Sequence, residues 1–405
     1  MQALVEGKTY EAGSPFELWR RMREREPVVW QHTDAFGGFW SLTGYADVKA
    51  VLREADAFTT SSGILLRPLA QGPDPGSGRT LALSDPPRHT ALRRAVASWF
   101  APRNLRPLTN SLAAAARTVV AAAVAKSHVD FVTEIAAELP LQVVWTFLDV
   151  PAPDRDALTS WSMDAFCAGT AVARSIAHLE ILEYFGTLAA KRRDRPGNDL
   201  VSVLAGVEVD GEPLPLDEVV LNCDNLLVGG TENVRLAMSG GIRALMDHPD
   251  QWARLRNGFD QVIPTAVEEV LRWTSSATHL VRTARRNTEL GGQRVAAGDR
   301  VVLWLPAANR DPAEFAEPDV FDVTRKPNRH LALGSGPHHC VGVQLARLEI
   351  STVLRELVRQ VRHLQPDGTA ARLDSIVVNG FRTLPVRLHG IQRPSRSRKR
   401  VAGPS

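Results

Sequence analysis

The sequence has few cysteines: Cys167, Cys223 and Cys340 are the only three among 405 residues. They lie far apart and form no CxxC pair, which argues against a disulfide framework and against a zinc ribbon. The sequence also lacks an iron–sulfur cysteine set and the glycine-rich fingerprints that bind flavins or dinucleotides. A chain of this length can bury a sizeable core without such cross-links.

Long hydrophobic runs are also lacking. No 18-residue stretch is wholly apolar, and the first 30 residues carry Glu6, Glu11, Glu17 and several arginines. We therefore expect no signal peptide, no membrane anchor and a cytoplasmic location. Because no internal repeat and no long Gly/Ser linker divides the chain, we predict a single domain over residues 1–390.

An excess of one charge sign is absent as well. The 48 Lys+Arg residues nearly balance 45 Asp+Glu residues, and five of the basic residues lie in the acid-free segment 391–405. The body of the chain is therefore near neutral, so we expect no nucleic-acid partner. We expect segment 391–405 to be a disordered, solvated basic tail. Only six of the basic residues are Lys, and this arginine excess points to a GC-rich bacterial genome.

Helical periodicity dominates the rest of the pattern. The predicted helices are 15–26, 45–54, 87–100, 103–126, 130–148, 154–166, 171–193, 198–205, 217–246, 249–273 in more than one piece, and 340–362. Segments 38–43 and 279–305 look like strands, with a turn at Gly291-Gly292. A Gly/Pro/Ser-rich loop covers 60–84 and a coil covers 306–332. The prediction is a mostly α protein with a small antiparallel β portion, crossed by a central helix about 45 Å long.

The most informative motif is LGSGPHHCVGVQLARLE, residues 333–349. Cys340 lies at the predicted start of an amphipathic helix, after Gly334 and Gly336 and before Gly342. Helix N-terminal N–H groups stabilise a thiolate, so we expect an acidic cysteine that is either a nucleophile or a metal ligand. The glycines would let the backbone approach a bulky flat group and let amides point at the sulfur. A buried cysteine in a turn is the simpler alternative, but packing alone does not explain this set of glycines and charges.

With this motif the chain resembles bacterial cytochromes P450, the soluble haem-thiolate monooxygenases, over essentially its whole length before the tail. The resemblance implies the prism-shaped P450 fold, with the long central helix over haem b, and Cys340 as the axial ligand of its iron. It also implies that His338 donates to a haem propionate, and it places Arg347 at a familiar position. The family usually has Phe where this chain has Leu333, which implies altered packing on the thiolate side and a shifted redox potential.

A second motif is Glu269-Val270-Leu271-Arg272. A Glu/Arg pair at i, i+3 shares a helix face and is uninformative by itself. Here it precedes the segment 308–325, which resembles the meander of the same family. The resemblance implies that Arg325 completes a Glu269–Arg272–Arg325 cluster that serves the fold and haem retention.

A third motif is SDPPRHTALRR, residues 84–94. His89 and Arg93 are four residues apart and point the same way on a helix, which by itself fits an exposed basic face. In the family this spacing reaches a haem propionate, and Arg282 in HLVRTA matches another propionate-binding arginine. Buried carboxylates need such donors because an unpaired buried charge is costly.

The fourth motif is Gly229-Gly230-Thr231-Glu232-Asn233 in the central helix. Glycine inside a helix costs about 1 kcal/mol relative to Ala, so the pair indicates either room for a ligand, with Gly229 next to the haem, or close packing. In the family pattern an acid and an alcohol here organise the water that delivers protons for oxygen activation. Glu232 fits the acid, but Asn233 stands at the alcohol position and has no hydroxyl proton. Oxygen activation would then use a substrate hydroxyl or ordered water, release peroxide, or serve an unusual oxidation.

The resemblance also implies a substrate, a pocket and an electron supply. The substrate would lie beneath the 60–84 loop and the 160–190 helices. The expected pocket wall consists of Val228, Gly229, Ala277, Thr278 and Phe381. O2 is the implied co-substrate, and electrons would come from NAD(P)H through a ferredoxin reductase and a ferredoxin docked near Cys340. We predict hydroxylation or epoxidation of an apolar secondary metabolite, such as a polyketide, peptide or terpenoid intermediate of antibiotic biosynthesis.

Three alternatives stay open. The missing hydroxyl at Asn233 permits oxidative coupling, dehydration or peroxide-driven oxidation. The chain could instead be a catalytically silent P450-like activator of a partner enzyme, although Cys340 and Glu232 argue against this. A thiol hydrolase or a zinc site at His338, His339 and Cys340 is the third, but adjacent ligands suit a tetrahedral site poorly and no fourth ligand is evident.

Overall fold

The computed structural model describes residues 2–167, 170–209 and 211–391, so the predicted basic tail lies outside the described residues except for Ile391. Helices dominate this part of the chain, as predicted. They are α1 Gly7–Ala12, α2 Phe16–Arg25, α3 Tyr45–Arg53, α4 Arg88–Ala97, α5 Pro102–Lys126, α6 Glu138–Phe147, α7 Arg155–Cys167, α8 Ala171–Asp194, α9 Leu200–Ala205, α10 Leu216–Asp247, α11 Pro249–Asn257, α12 Phe259–Thr274, α13 Leu305–Ala308 and α14 Val343–Gln360.

The strands are short and form small sheets. They are β1 Val28–Thr33, β2 Gly37–Leu42, β3 Phe58–Thr59, β4 His128–Asp130, β5 Glu208–Val209, β6 Glu212–Pro213, β7 His279–Ala284, β8 Thr288–Leu290, β9 Gln293–Val295, β10 Arg300–Trp304, β11 Val361–Pro366, β12 Ala371–Arg372, β13 Phe381–Thr383 and β14 Pro385–Gly390. A five-stranded sheet has the order β1-β2-β10-β7-β3, and a three-stranded sheet has the order β11-β14-β4. All pairings are antiparallel except that between β2 and β10, which is parallel.

The predicted turn between β8 and β9 is confirmed. Leu290 pairs with Gln293, so Gly291 and Gly292 are the two residues of a hairpin loop. Both have positive φ, 53° and 79°, which is the backbone that a two-residue hairpin turn favours and that glycine adopts without strain.

Three elements differ from the prediction. The segment 130–148 is not one helix, because Asp130 ends β4 and a π-helical turn over Val132–Ala136 precedes α6. The last helix begins at Val343, three residues after Cys340, and the chain beyond Gln360 is strand. The sequence also gave no sign of β1 or of the strands after α14. β14 pairs with β4, which is far away in the chain, and local periodicity does not report such a partner. β1 instead forms a hairpin with its neighbour β2.

The central helix α10 is the longest element, with 32 residues and a length of about 48 Å. Its middle is buried on several sides because α6, α8, α12 and α14 all pack against it. The largest hydrophobic cluster lies among these helices, and two smaller clusters lie around the five-stranded sheet. α10 therefore forms the axis against which the functional site is assembled.

Within the described residues, α5 is the one helix long and apolar enough to cross a membrane by length and composition. Its buried residues, Leu105, Leu112, Ala116, Val120 and Ala123, recur at helical spacing along one face. That face packs against α14 and β14. Core helices of soluble proteins pass the same test, so this finding is weak evidence for a membrane span.

Candidate active site

One cavity brings together half of the site residues that the sequence predicted. It holds about 1490 Å³ of space not filled by protein atoms, part of it open to solvent. The predicted site residues along it are His89, Arg93, Gly229, Asn233, Ala277, Gly334, His338, Cys340 and Gly342. The other lining residues are mainly apolar and come from the end of the 60–84 loop, from α6, α9, α10, α12 and α14, and from the segments between them.

Cys340 is held by a glycine-rich turn. Its backbone N–H donates to the Leu333 carbonyl at 2.9 Å. Gly334 and Gly336 both have φ near 70°, and a Cβ on Gly336 would lie 2.6 Å from the Leu52 carbonyl oxygen. Position 336 therefore requires glycine both for its positive φ and for its close approach to the Leu52 backbone. The glycines of the motif thus serve first to shape the backbone around Cys340.

The surroundings of Cys340 act against the predicted acidity. Burial raises the pKa of the thiol, and a hydrogen bond from the Gly342 N–H together with the charges of Arg93 and Arg347 offsets this only in part. Cys340 lies three residues before the start of α14, so the N–H of Gly342 is the one amide at this helix end that lowers the pKa of the thiol. Metal coordination deprotonates a thiol outright, so this correction leaves a ligand role intact.

His89, Arg93 and His338 form a donor cluster at the edge of the cavity. The two imidazole rings lie 4.0 Å apart, and His338 Nε2 lies 3.3 Å from Thr60 Oγ1. Burial lowers the pKa of His338 to about 3 and also lowers that of His89, so both rings are neutral at pH 7. His89 Nε2 is buried without a hydrogen-bond partner, and Arg93 forms no ion pair with any described residue.

Arg282 does not line the cavity, but it lies close enough to lower the pKa of His338. Its side chain is buried, and Nη1 donates to the Val281 carbonyl at 2.9 Å. Burial lowers the pKa of Arg282 to about 10, so the guanidinium is charged at pH 7. Arg282, His89 and Arg93 give this edge of the cavity more hydrogen-bond donors than acceptors. Such an excess of donors suits an anionic group of a ligand.

The glycine pair in α10 serves both of the purposes considered. A Cβ on Gly229 would meet nothing within 4 Å, which leaves open space in the cavity. A Cβ on Gly230 would lie 2.9 Å from Val144 Cγ2, so this glycine allows α6 to approach α10 closely. Asn233 lines the cavity, and its Oδ1 is buried without a hydrogen-bond partner.

Glu232 is not part of the cavity wall. Its carboxylate forms a buried ion pair with Arg235, in which Arg235 Nε lies 3.2 Å from Oε2 and Nη2 donates to Oε1. Thr231, the nearest hydroxyl in the motif, donates to the Leu227 carbonyl at 2.8 Å. Neither group therefore substitutes for the alcohol that is missing at Asn233.

The structure brings Glu269, Arg272 and Arg325 together. Arg272 holds the Glu269 carboxylate with two hydrogen bonds of 2.7 and 2.8 Å, and Arg325 Nε lies 3.2 Å from Glu269 Oε2. Arg272 also donates to the carbonyls of Asn309 and Pro318, which belong to the coil. The buried cluster thus fastens the coil to α12, in the place that the resemblance implied.

Several predicted positions lie elsewhere. Val228, Thr278, Phe381 and Gly336 do not line the cavity, and no described residue of 160–190 does. Val228 is rotated by about 100° from Gly229 around α10. The Arg372 guanidinium lies over the Phe381 ring, with its carbon 5.0 Å from the centre of that ring. The 60–84 loop does contribute, through Leu81 and Ala82.

Two cavity residues were missed in the sequence. Glu349 on α14 is fully buried, neither carboxylate oxygen has a hydrogen-bond partner, and burial raises the pKa of this carboxyl well above its usual range. Asn225 lines the cavity two turns before Asn233. The four-residue spacing of Asn225, Gly229 and Asn233 was the available signal, because such residues share one helix face.

These residues fit a haem. The Cys340 thiol lies beside a mainly apolar space. Gly229 and Gly342 have no side chains that would fill this space. At one edge of the cavity, hydrogen-bond donors have no acceptor within the protein. A flat, apolar group with an iron centre and anionic edges is the ligand that this combination of side chains suits.

Comparison with known proteins gives the same result. The family model for cytochrome P450 matches residues 170–378. Cytochrome P450 NovI of Streptomyces niveus is 37% identical over 92% of this chain and 93% of its own length. A steroid C26-monooxygenase of Mycolicibacterium smegmatis is 33% identical over 95% of each chain.

The solved structure of P450 OxyD, which is involved in the biosynthesis of vancomycin-type antibiotics, is also similar. It superimposes with a TM-score of 0.87 at 38% identity, covering 95% of this chain and 99% of its own. The family implies a haem cofactor, O2 and an electron supply. The chain belongs to the cytochrome P450 family and is a monooxygenase-type oxidoreductase.

Proposed function

We propose that this protein is a haem-thiolate monooxygenase that hydroxylates or epoxidises an apolar secondary metabolite, such as a polyketide, peptide or terpenoid. The observation that carries the proposal is that the Cys340 thiol and the Gly229–Asn233 face of α10 share one mainly apolar cavity. When haem b is bound, it activates O2 with two electrons and two protons, so that one oxygen atom enters the substrate and the other leaves as water. We further propose that residues 1–390 act as one cytoplasmic catalytic domain.

The chain's own residues hold the cofactor. Cys340 would bind the iron, and His89, Arg93, His338 and Arg282 would take the carboxylates of the haem. The neutral rings of His89 and His338 each offer one N–H, and the two guanidiniums supply the positive charge. This assignment satisfies the buried His89 Nε2, which has no partner in the protein.

The apolar lining selects the substrate and excludes water. Leu81, Phe147 and Leu226 are among the side chains that would contact it. Asn233 Oδ1 would accept a hydrogen bond from a water or from a substrate hydroxyl, and that donor would supply the proton that Asn233 itself lacks. The substrate class is supported by similarity to OxyD, whereas the steroid oxygenase relative shows that similar chains also oxidise large apolar ring systems.

A second outcome is favoured by one observation. Because Asn233 replaces the alcohol and Glu232 is engaged by Arg235, proton delivery from these two residues is weakened. Peroxide-driven oxidation needs less of this delivery, because peroxide already carries the two electrons and two protons that O2 lacks. An atypical outcome, with peroxide-driven oxidation favoured over oxidative coupling or dehydration, is therefore the second proposal for the same site.

The electron donor would be an acidic ferredoxin, reduced from NAD(P)H by a ferredoxin reductase. A groove between α5, α12 and α14 contains Gln344 and Arg347, which follow Cys340 closely, together with Arg106 and Arg355. Arg103 and Arg106 are exposed, and no acid among the described residues pairs with either. Positive charge close to the cysteine suits an acidic electron carrier.

The test is the spectrum of the reduced, CO-treated protein. A ferrous haem with a thiolate ligand gives a strongly red-shifted Soret band, and Cys340→Ala should abolish this shift. Cys223→Ala is the matched control, because Cys223 is buried in α10 outside the cavity. A protein that binds no haem, or an unchanged band in Cys340→Ala, would refute the proposal.

A further inference from the structure

Three residues form a single face of α10 along the cavity. Asn225, Gly229 and Asn233 follow one another at intervals of four, and all three line the cavity. At 1.5 Å per residue, the two asparagines lie about 12 Å apart along the helix axis. We call this the amide face. Gly229 between them adds no side chain, so the wall is open from one amide to the other.

Neither amide contributes to the fold. Asn233 Oδ1 is buried without a partner, and the Asn225 side chain forms no hydrogen bond to any described residue. Two fully buried asparagines outside the cavity are engaged by the fold. Asn222, one turn earlier on α10, forms three side-chain hydrogen bonds, and Asn309 forms two. Burying Asn233 Oδ1 without a partner costs free energy. Asn225 is half-buried, and its amide lines the same cavity without a partner in the fold, so both side chains are available to a ligand group.

The surroundings restrict the chemistry of that group. The side chains that flank the amide face, such as Leu81, Ala82 and Leu226, are apolar. The ionisable residues of the cavity are His89, Arg93, His338, His339, Cys340 and Glu349, and they belong to α4, to α14 and to the coil before it. α10 itself contributes no ionisable side chain to the wall. An ionised substrate group would have no counter-charge there, whereas a neutral amide, ester or hydroxyl would be matched by Asn225.

We propose that Asn225 is a specificity-determining residue that binds a neutral hydrogen-bonding group of the substrate. The substrate is then an elongated apolar molecule with such a group about 12 Å from the part that reaches Asn233. This inference rests on the proposed function, because it assumes that haem occupies the Cys340 side of the same cavity. The inference specifies two further properties of the substrate: it carries a neutral hydrogen-bonding group, and it lies along α10 from Asn233 towards Asn225.

The test uses three probes of similar length, decanamide, decane and decanoate, with the haem-loaded protein. Binding is measured from the change in the haem absorption spectrum. Decanamide should bind about tenfold more tightly than decane, and decanoate should bind no better than decane. Asn225→Leu keeps the approximate volume but cannot form hydrogen bonds, so it should abolish the preference for decanamide. Asn225→Gln should restore part of it.

Asn110→Leu is the control, because it makes the same substitution at an exposed position of α5, away from the cavity and from the loop. It should leave the ratio of the decanamide and decane affinities unchanged. A wild-type protein that binds decanamide no better than decane, or that binds neither, overturns the inference, as does an unchanged preference in Asn225→Leu. The CO spectrum distinguishes the two failures: if it is normal while the preference is absent, the inference fails and the proposed function stands.

Discussion

At the scale of single residues, the neighbours Glu232 and Asn233 have different surroundings. Asn233 faces the cavity with an unpartnered oxygen, whereas Glu232 is turned to Arg235 on the same helix. Successive helical residues point about 100° apart, and here Asn233 and Val234 line the cavity whereas Glu232 lies to the other side of Asn233. Under the proposed function, the proton supply therefore depends on what Asn233 can position.

Asn233→Thr should improve the use of electrons. A hydroxyl can donate a proton as well as accept a hydrogen bond, whereas the amide oxygen only accepts. We expect the hydrogen peroxide released per NADPH consumed, with a surrogate ferredoxin and reductase, to fall about fivefold, the effect of one hydrogen bond. Asn233→Val has the shape of the Thr variant without its hydroxyl and should show no improvement. Equal peroxide release by both variants would mean that protons arrive by another route.

Glu349 should make stability depend on pH. Because burial raises the pKa of this carboxyl in the folded protein, the native state binds more protons than the unfolded state above about pH 4.5. The free energy of unfolding therefore falls as the pH rises. Its slope is at most about 1.4 kcal/mol per pH unit, the value for a difference of one bound proton. Glu349→Gln has no such proton, so its Tm advantage over the wild type should grow between about pH 5 and pH 8.

Glu356→Gln is the control for this measurement, since Glu356 lies on the same helix and contacts Arg117 and Arg359. It should lower Tm without the rising advantage. If the difference between Glu349→Gln and the wild type stays flat with pH, the buried carboxyl does not titrate in that range.

At the scale of elements, the end of the 60–84 loop is tied to the start of α10. Asn222 Oδ1 accepts from the Leu81 N–H at 2.8 Å, and its Nδ2 donates to the Arg79 carbonyl at 3.1 Å. Arg79 also pairs with Asp217, and Arg88 pairs with Glu218. Because Leu81 and Ala82 are cavity wall, these contacts hold the loop over the cavity.

Asn222→Leu should loosen the loop. It removes two buried hydrogen bonds to the loop backbone, together worth about 1–3 kcal/mol. Trypsin cleavage after Arg79 should then become about tenfold faster, as measured by mass spectrometry of the fragments. Asp217→Asn removes an ion pair whose carboxylate is largely exposed, and it should change the rate little. If both variants are cleaved at the wild-type rate, the buried amide does not hold the loop.

At the scale of the whole molecule, the near-neutral body carries an uneven surface. The groove beside Cys340 contains Arg106, Arg347 and Arg355, with Glu268 as its acid. Burial raises the pKa of Glu268, but hydrogen bonds from His330 and Arg347 outweigh this and bring it down to about 2. Glu268 is thus fully ionised and neutralises Arg347, so the unpaired positive charge lies at Arg103 and Arg106.

Reversing these charges should slow reduction. The variant Arg103→Glu/Arg106→Glu should accept electrons from an acidic ferredoxin about tenfold more slowly at low salt, and its rate should depend less on ionic strength. Arg286→Glu/Arg294→Glu changes the net charge equally at exposed positions near the β8–β9 hairpin and is the control. Stopped-flow reduction under CO measures the rate. Equal slowing in both variants would show that net charge, not this face, determines the rate.

Features that depend on residues close together in the chain were predicted from the sequence, and features that depend on distant residues were not. The helix α10, the pairing of Glu269 with Arg272 and the glycine turn before Cys340 could be read from sequence, because each depends on spacings of a few residues. The resemblance supplied Arg325, which is 56 residues from Glu269 and which no local pattern would indicate. The pairing of Glu232 with Arg235 is equally local, but the resemblance implied a different role for Glu232, that of the acid.

What the sequence determined by itself is therefore the family, the ligand cysteine that we propose and the elements that carry the site. Local steric preference and helical periodicity are enough for these, because they act between near neighbours. Tertiary structure alone decided that Glu349 is buried, that Asn222 holds the loop, and that β2 lies parallel to β10. Burial and sheet pairing arise from contacts between segments far apart in the chain, so the surroundings of a side chain become defined only when those segments pack.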